Sequence, residues 1–452
     1  MKVEDLQAYE ILEKREIKDI DSMTYLCRHK KTGARVVLLS NDDDNKVFYI
    51  GFRTTPKDST GVAHITEHSV LCGSKNFPVK DPFVELAKGS LNTFLNAMTY
   101  PDKTVYPVAS CNDKDFQNLM NVYLDAVFYP NTYQNEAIFR QEGWHYELND
   151  QDELIYNGVV YNEMKGALSN PDSILWREIS TALYPHTTYG VESGGDPENI
   201  PDLTYEQFLD FHRTYYHPSN SYIYLYGNMD MAEKLDYIDR EYLSKYDYLE
   251  VDSKITEEPC FEKPNRLVKE IPLGEGESAE ENTYLAQCFS AGDCLDRELV
   301  IAMKVLDFAL CTVPGAPLKQ ALIDKGIGKD VFSVYDNGYK QPFFGVVAKG
   351  TSADKEEEFK AVIREVLEGI VKNGFDQKAL LSAINHDEFK YREADFGTTP
   401  KGLMYGLQLL DSWLYDDNKP FIHIEANATY AALREKAKEG YFEQIIRKYL
   451  LD

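Results

Sequence analysis

One order of elements, read twice along the chain, constrains the fold more than any other feature of this sequence. On the first pass two alternating apolar segments, ARVVLLS (34–40) and KVFYIGFR (46–53), flank the turn-forming run NDDDN and predict a hairpin. A helical pattern comes next over 61–71, then another short helix, then the strand TVYPVAS (104–110). Asn112 or Asp113 then caps a helix whose apolar residues Phe116, Leu119, Met120, Tyr123 and Val127 recur at helical spacing, turning one face to a core. Further helices are expected over 134–147, 159–184 and 204–216, and SYIYLYG (221–227) reads as a buried strand.

A charged, Pro-bearing stretch from Ser244 to Glu277 interrupts this order, and the residues beyond it repeat the order. NTYLAQCFSAG reads as a strand, Arg297 to Leu310 as a helix, APLKQALIDKG as a second helix, and DVFSVYD and FFGVVAK as two strands. A helix carrying Phe359, Val362, Ile363, Val366, Leu367 and Ile370 on one face closes the series. The expectation is an α+β protein of two similar units in tandem, the second diverged from the first. The boundaries would be a first domain over 1–250, a linker over 251–270 and a second domain over 271–452.

Bulk properties agree with several cores and exclude some functions. A chain of 452 residues, 43% hydrophobic, is too long for one core and sufficient for two or three. With 48 Lys and Arg against 75 Asp and Glu, the net charge of -27 argues against a nucleic-acid partner, whose phosphates need a basic face. The acidity serves solubility or attracts cationic peptides. Seven cysteines, scattered and without a Cys-x-x-Cys pair, fit a reduced thiol set better than a disulfide framework. The start, MKVEDLQAYEILEKREI, lacks signal-peptide or transit character, and no apolar run approaches membrane-spanning length, so no membrane partner and a cytoplasmic location are expected.

The chemistry is concentrated in TGVAHITEHSVLCGS, which places His64, Glu67 and His68 in the predicted helix. Residues four apart stack on one helical face, so both imidazoles can converge on one ion. Glu67 lies close enough to that face to reach a water on the ion. This H-x-x-E-H order inverts the H-E-x-x-H motif and keeps its division of labour. Zinc suits the site, because it accepts imidazole nitrogen and carboxylate oxygen and leaves one position to water. It brings the pKa of that water to about 7, and Glu67 would take the proton as general base. A third ligand is required, and Glu142, Glu147, Glu163 and Glu178 all stand on predicted helices; spacing leaves the choice among them open.

Five blocks in order, HITEHSVLCGS, SLNTFLNAMTYPDKTVYPVAS, QEGWHYEL, GVVYNEMKG and SGGDP, resemble the presequence protease and falcilysin branch of the insulinase-type metallopeptidases, and the likeness spans nearly the whole chain. The resemblance implies two tandem homologous α/β-roll domains per half-molecule, a zinc site in the first, and hydrolysis of unfolded peptides in a chamber closed by two halves. It maps the histidine ligands onto His64 and His68, the catalytic glutamate onto Glu67, and the third ligand, within NEMKG, onto Glu163. It also implies that substrate backbone adds to a strand near the zinc, at Asn96 and Ala97. Members of the family are much longer, and their second half supplies an arginine and a tyrosine that help hold the substrate. This chain stops at YFEQIIRKYLLD with no terminal strand, so it is expected to be the catalytic N-terminal half, with the C-terminal half of the same enzyme as partner.

Other residues read more plainly. Cys72, one helical turn beyond His68, is expected to be a packed thiol. Gly194 and Gly195 lack the strand-loop-helix pattern of phosphate loops and read as a turn. His145, His186, His212 and His217 stand among aromatics and are expected to pack or hydrogen-bond. FSAGDCLDRELVIAM takes the place of the metal helix in the second unit without a histidine, so that unit is structural or walls the chamber. The competing function, a non-catalytic peptide-binding or scaffold subunit of a processing complex, would have no need to keep a general base at position 67.

Overall fold

The computed structural model describes residues 1–276, 278 and 280–452, so Glu277, at the end of the charged stretch, lies outside the described residues. The chain begins with β1 (Tyr9–Ile17), β2 (Ser22–His29), β3 (Arg35–Ser40), β4 (Lys46–Arg53), α1 (Val62–Val70), α2 (Pro82–Gly89), β5 (Asn92–Leu95), β6 (Met98–Thr99) and β7 (Lys103–Ser110). Then come α3 (Asp113–Phe128), α4 (Glu136–Glu142), β8 (His145–Leu148), β9 (Leu154–Asn157), α5 (Val159–Ala167), α6 (Pro171–Leu183), α7 (Tyr205–Tyr215), β10 (Ser221–Gly227) and α8 (Met231–Glu241). The remainder gives β11 (Thr283–Ser290), α9 (Arg297–Cys311), α10 (Pro317–Asp324), β12 (Asp330–Asp336), β13 (Phe343–Thr351), α11 (Glu356–Asn373), α12 (Gln377–Glu393), α13 (Lys401–Trp413), α14 (Asn427–Lys436) and α15 (Tyr441–Ile446).

These elements form two compact units. The first comprises Met1–Ile174, His186–Thr256 and Phe396–Pro420; the second comprises Leu175–Pro185, Glu257–Asp395 and Phe421–Asp452. The main change of unit falls inside the expected linker, while two segments belong with the other unit. The reason for the larger exchange is visible in α13. Tyr224 and Tyr49, stacked with centroids 4.8 Å apart, donate their hydroxyls to the carbonyls of Gly402 and Gly406 at 2.7 and 2.8 Å. A Cβ at Gly406 would lie 2.6 and 2.7 Å from those two rings, so a glycine is what lets this helix lie on the tyrosine layer of the first unit.

In the first unit eight strands form one sheet, in the order β1-β2-β3-β10-β4-β7-β5, with β6 also paired to β7. The expected hairpin of 34–40 and 46–53 is therefore corrected: β10 inserts between β3 and β4, parallel to the former and antiparallel to the latter. Every residue of β10 is buried. A strand apolar on both faces gains most at the centre of a sheet, and there it displaces the local pairing. The Asp-rich turn bridges across it, accepting from Asn228 N at 2.7 Å through the carbonyl of Asp43. One face of the sheet is covered by α3, whose Phe116, Leu119, Met120 and Tyr123 are fully buried with Phe48, Phe52 and Tyr106. Each such side chain contributes roughly 1.5–3 kcal/mol relative to exposure. Asn112 caps α3 by accepting from the amides of Lys114 and Asp115 at 3.1 and 3.0 Å.

Two predicted helices end early. The 134–147 segment is helical only to Glu142, because Gly143 stops it and the next residues pair as the β8–β9 hairpin. The 159–184 segment breaks after Ala167, where Pro171 begins a new helix that the preceding turn cannot continue into. The charged strand β1 and its partner β2 escape the sequence reading, since YEILEKREI alternates exposed and part-buried residues at a sheet edge.

The second unit keeps the expected order with fewer strands. Among the described residues its sheet has three, β11-β13-β12, all antiparallel, under a helical layer centred on α9. Among the described residues no helix is long and apolar enough to cross a membrane.

Candidate metal centre

The geometry of the centre begins with the start of α1. Val62, Ala63, Ile65 and Val70 are buried in the core of the first unit, which orients the helix and turns His64 and His68 to one side, their rings 4.9 Å apart. Gly61 precedes the helix at φ +70, and a Cβ there would lie 2.9 Å from both the Gly194 carbonyl oxygen and the Gly195 Cα. The bare backbone therefore allows the 194–195 turn to press against the helix start, with Asp196 N donating to Ser59 O at 2.8 Å.

That approach places a carbonyl on the first histidine. His64 Nδ1 lies 3.0 Å from Gly194 O. A carbonyl only accepts, so Nδ1 is the donating nitrogen, and in the neutral ring it is Nε2 that carries the lone pair. His68 is held in the same way by a side chain: its Nδ1 lies 3.3 Å from Glu142 Oε2, at the buried end of α4. Burial works against the charged forms of both partners. Their mutual hydrogen bond, helped for Glu142 by Gln141 and for His68 by the charges of Glu67, Glu142 and Glu163, outweighs it, so the imidazole is raised and the carboxyl lowered from their usual values.

Both Nε2 atoms then face one carboxylate. Glu163 on α5 brings Oε2 to 3.8 Å from His64 Nε2 and 3.7 Å from His68 Nε2. These side chains are 12%, 26% and 54% exposed for His64, His68 and Glu163, so the carboxylate closes the group from the solvent side. Among the described residues this is the one group of three or more His, Cys, Asp or Glu that could hold a metal ion, with its ligand atoms within 4.8 Å of one another. A tetrahedral ion with bonds of about 2.1 Å separates its ligand atoms by about 3.4 Å, so the two histidine–glutamate separations need close by only a few tenths of an ångström. Two imidazoles and a carboxylate, with both Nδ1 atoms anchored, fit a divalent metal.

Of the other glutamates weighed from the sequence, Glu142 lies behind His68, Glu147 lies on β8 hydrogen-bonded to Asn157, and Glu178 pairs with Arg177 at 2.8 Å in the second unit. Glu67, only 7% exposed, accepts from Thr99 Oγ1 through Oε2 at 2.6 Å. Asn96 and Ala97 stand between β5 and β6 at the sheet edge. Asn96 turns both backbone groups inward, donating to Pro107 O at 3.4 Å and accepting from Tyr123 OH at 3.2 Å.

Three participants escape sequence reading: the Gly194 carbonyl, Thr99, and the role of Glu142 as a histidine's partner. The first two act through a main-chain atom and a hydroxyl, which leave no spacing signature. The bland readings of Cys72 and His212 agree with the structure. Cys72 Sγ contacts His68 O at 3.5 Å, and burial and then Glu142 push its thiol up. His212 is buried between Val127 O and Tyr133 OH, and burial drives it down to about 4.

Two family models match the chain. Residues 47–172 match the family model described as insulinase (peptidase family M16), and residues 202–386 the one described as peptidase M16 inactive domain. Protein HypA of Clostridium perfringens (strain 13 / Type A) is 51% identical over 445 residues, 98% of this chain and 46% of that protein. Presequence protease 1, chloroplastic/mitochondrial, of Arabidopsis thaliana is 45% identical over 445 residues, 96% of this chain and 41% of that protein. The chain thus spans about half the length of the curated relatives it matches. The crystal structure of pitrilysin superposes with a TM-score of 0.64 at 15% identity, over 97% of this chain and 46% of that one, a likeness of fold.

Proposed function

The chain belongs to the insulinase family of peptidases, family M16, and from that premise we propose that it carries a zinc-dependent centre that hydrolyses unfolded peptides. The observation that carries the reading is the convergence of His64 Nε2, His68 Nε2 and Glu163 Oε2 within 4.8 Å, with both Nδ1 atoms locked by acceptors. These three residues would hold zinc, which when bound supplies a Lewis acid that acidifies water and polarises a peptide carbonyl. Glu67, with Oε2 held by Thr99, would take the proton of the attacking water on Oε1 and return it to the leaving amine. The β5–β6 edge beside α1, at Asn96 and Ala97, would take up substrate backbone as an added strand, with the inward-bonded backbone of Asn96 holding the edge and only its side chain left to meet the peptide.

The relatives' greater length supports a second half that completes a closed chamber, with this chain as the N-terminal, catalytic half. Seven cysteines, none in a disulfide, support a reducing compartment such as the cytoplasm. The test is metal stoichiometry. Zinc-loaded wild type is expected to retain one ion per chain after dialysis and to cleave an unstructured peptide when its other half is supplied, whereas Glu163→Gln should lose most of the ion. Unchanged stoichiometry in that variant would overturn the ligand set.

A further inference from the structure

Glu67 is nearly buried, yet its side chain ends on a single short hydrogen bond from a residue distant in the sequence: Thr99 Oγ1 donates to Oε2 at 2.6 Å. From this we infer that Thr99 is a positioning residue that holds the Glu67 carboxylate in its working orientation, an inference that rests on the role proposed for Glu67 above. A glutamate has three rotatable bonds, and a helix fixes only the first of them well. A hydroxyl on one carboxylate oxygen selects one orientation of the group and leaves the other oxygen to exchange a proton. Hydrogen bonds to ionised acceptors are the short and strong ones, which matches the observed length.

The donor is itself held. Threonine is stiff at χ1, so the direction of its hydroxyl is set by the backbone of β6. That backbone pairs with β7 at Met98↔Val105 and Thr99↔Thr104, and Tyr100 N donates to Lys103 O at 2.8 Å to close the turn. Beneath the turn, Asp102 is fully buried and accepts from Tyr189 OH at 2.8 Å, Tyr415 OH at 2.7 Å and Lys103 Nζ at 3.2 Å. The chain of support therefore runs from a fully bonded buried carboxylate, through a two-residue strand, to the base. Because β6 belongs to the edge proposed to receive the peptide, one strand both aligns the substrate and aims the base.

Thr99→Val keeps shape and removes the hydroxyl; Thr99→Ser keeps the hydroxyl. In zinc-loaded chain supplied with its other half, Thr99→Val should lower kcat about tenfold to a hundredfold, as expected for one lost hydrogen bond to a charged group, with KM within about twofold, and Thr99→Ser should restore most of kcat. Crystal structures of the same variants without metal supply an independent reading: the Glu67 carboxylate should leave its position in Thr99→Val and keep it in Thr99→Ser. An unmoved Glu67 in the valine variant, or a valine kcat equal to wild type, would overturn the inference. If wild type itself failed to cleave peptides, the proposed function would fall, while the metal-free structures would still decide whether Thr99 positions Glu67.

Discussion

Helices α1 and α9 occupy matching places in the repeated order, and they are built to opposite ends. In α9 ten of the side chains, from Leu299 to Cys311, are buried, and Asp296 caps the helix by accepting from Leu299 N at 3.0 Å. In α1 there is no side-chain cap at all; Gly61 stands there so that a carbonyl can reach His64. The helix that only packs keeps the local stabilising device, worth about 1 kcal/mol, and the helix that bears the site gives it up for a contact with another loop. The three site side chains of α1, His64, His68 and Glu67, then depend on partners distant in sequence: Gly194, Glu142 and Thr99. A diverged repeat can thus keep its order of elements while chemistry and packing separate between its copies.

Three substitutions would break or sharpen that contrast. The largest effect is expected from Glu67→Gln, which should lower peptide hydrolysis by about a hundredfold to ten-thousandfold while zinc stays bound, because general-base catalysis is lost and the ligand set is intact. Turnover rates alongside metal content check it, and a zinc-replete variant that still cleaves peptides would place the base elsewhere. Next is Leu306→Ala in α9, fully buried in the core of the second unit, expected to cost about 2–5 kcal/mol in denaturant unfolding. Zinc affinity should be unchanged, and a parallel loss of affinity would show that chemistry and packing are not separated between the repeats.

The smallest effect is expected from Glu142→Gln, which keeps a hydrogen-bond acceptor for His68 and removes the charge. Metal affinity should fall about tenfold to a hundredfold in a competition titration. The same variant carries a pH signature without metal. His68 is raised above 6.5 in the folded chain, so its contribution to stability is fully present below that value and is lost as pH rises through the higher folded value. Denaturant unfolding in chelator should show that decline in wild type and a weaker one in Glu142→Gln; equal slopes would remove Glu142 as the cause.

Legibility in the sequence depends on range. His64, Glu67 and His68 are legible because helical periodicity is local, and the amphipathic spacing of α3 is legible for the same reason. Glu163 is one of four glutamates until the NEMKG block is matched, since no local spacing rule relates α5 to α1 across the strands and helices between them. The 34–53 hairpin is misread because a two-strand pattern does not reveal that a third strand, about 170 residues later, will pair between them. Likewise the exchange of Phe396–Pro420 depends on tyrosines whose partners are backbone carbonyls of a distant helix.

That late insertion governs the order in which the chain can be built. A strand that separates β3 from β4 is synthesised well after both, and α13, which rests on the same tyrosines, later still. Contacts so distant in sequence are slow to close, and chains ordinarily gain structure as they emerge, N-terminal part first. Here the earliest residues must wait, with two strand edges unpaired, until residue 227 is available and then until residue 413 has arrived. A ribosome-bound intermediate that ends before residue 221 would therefore expose two unpaired β-edges, and the sheet would be complete only once β10 has emerged.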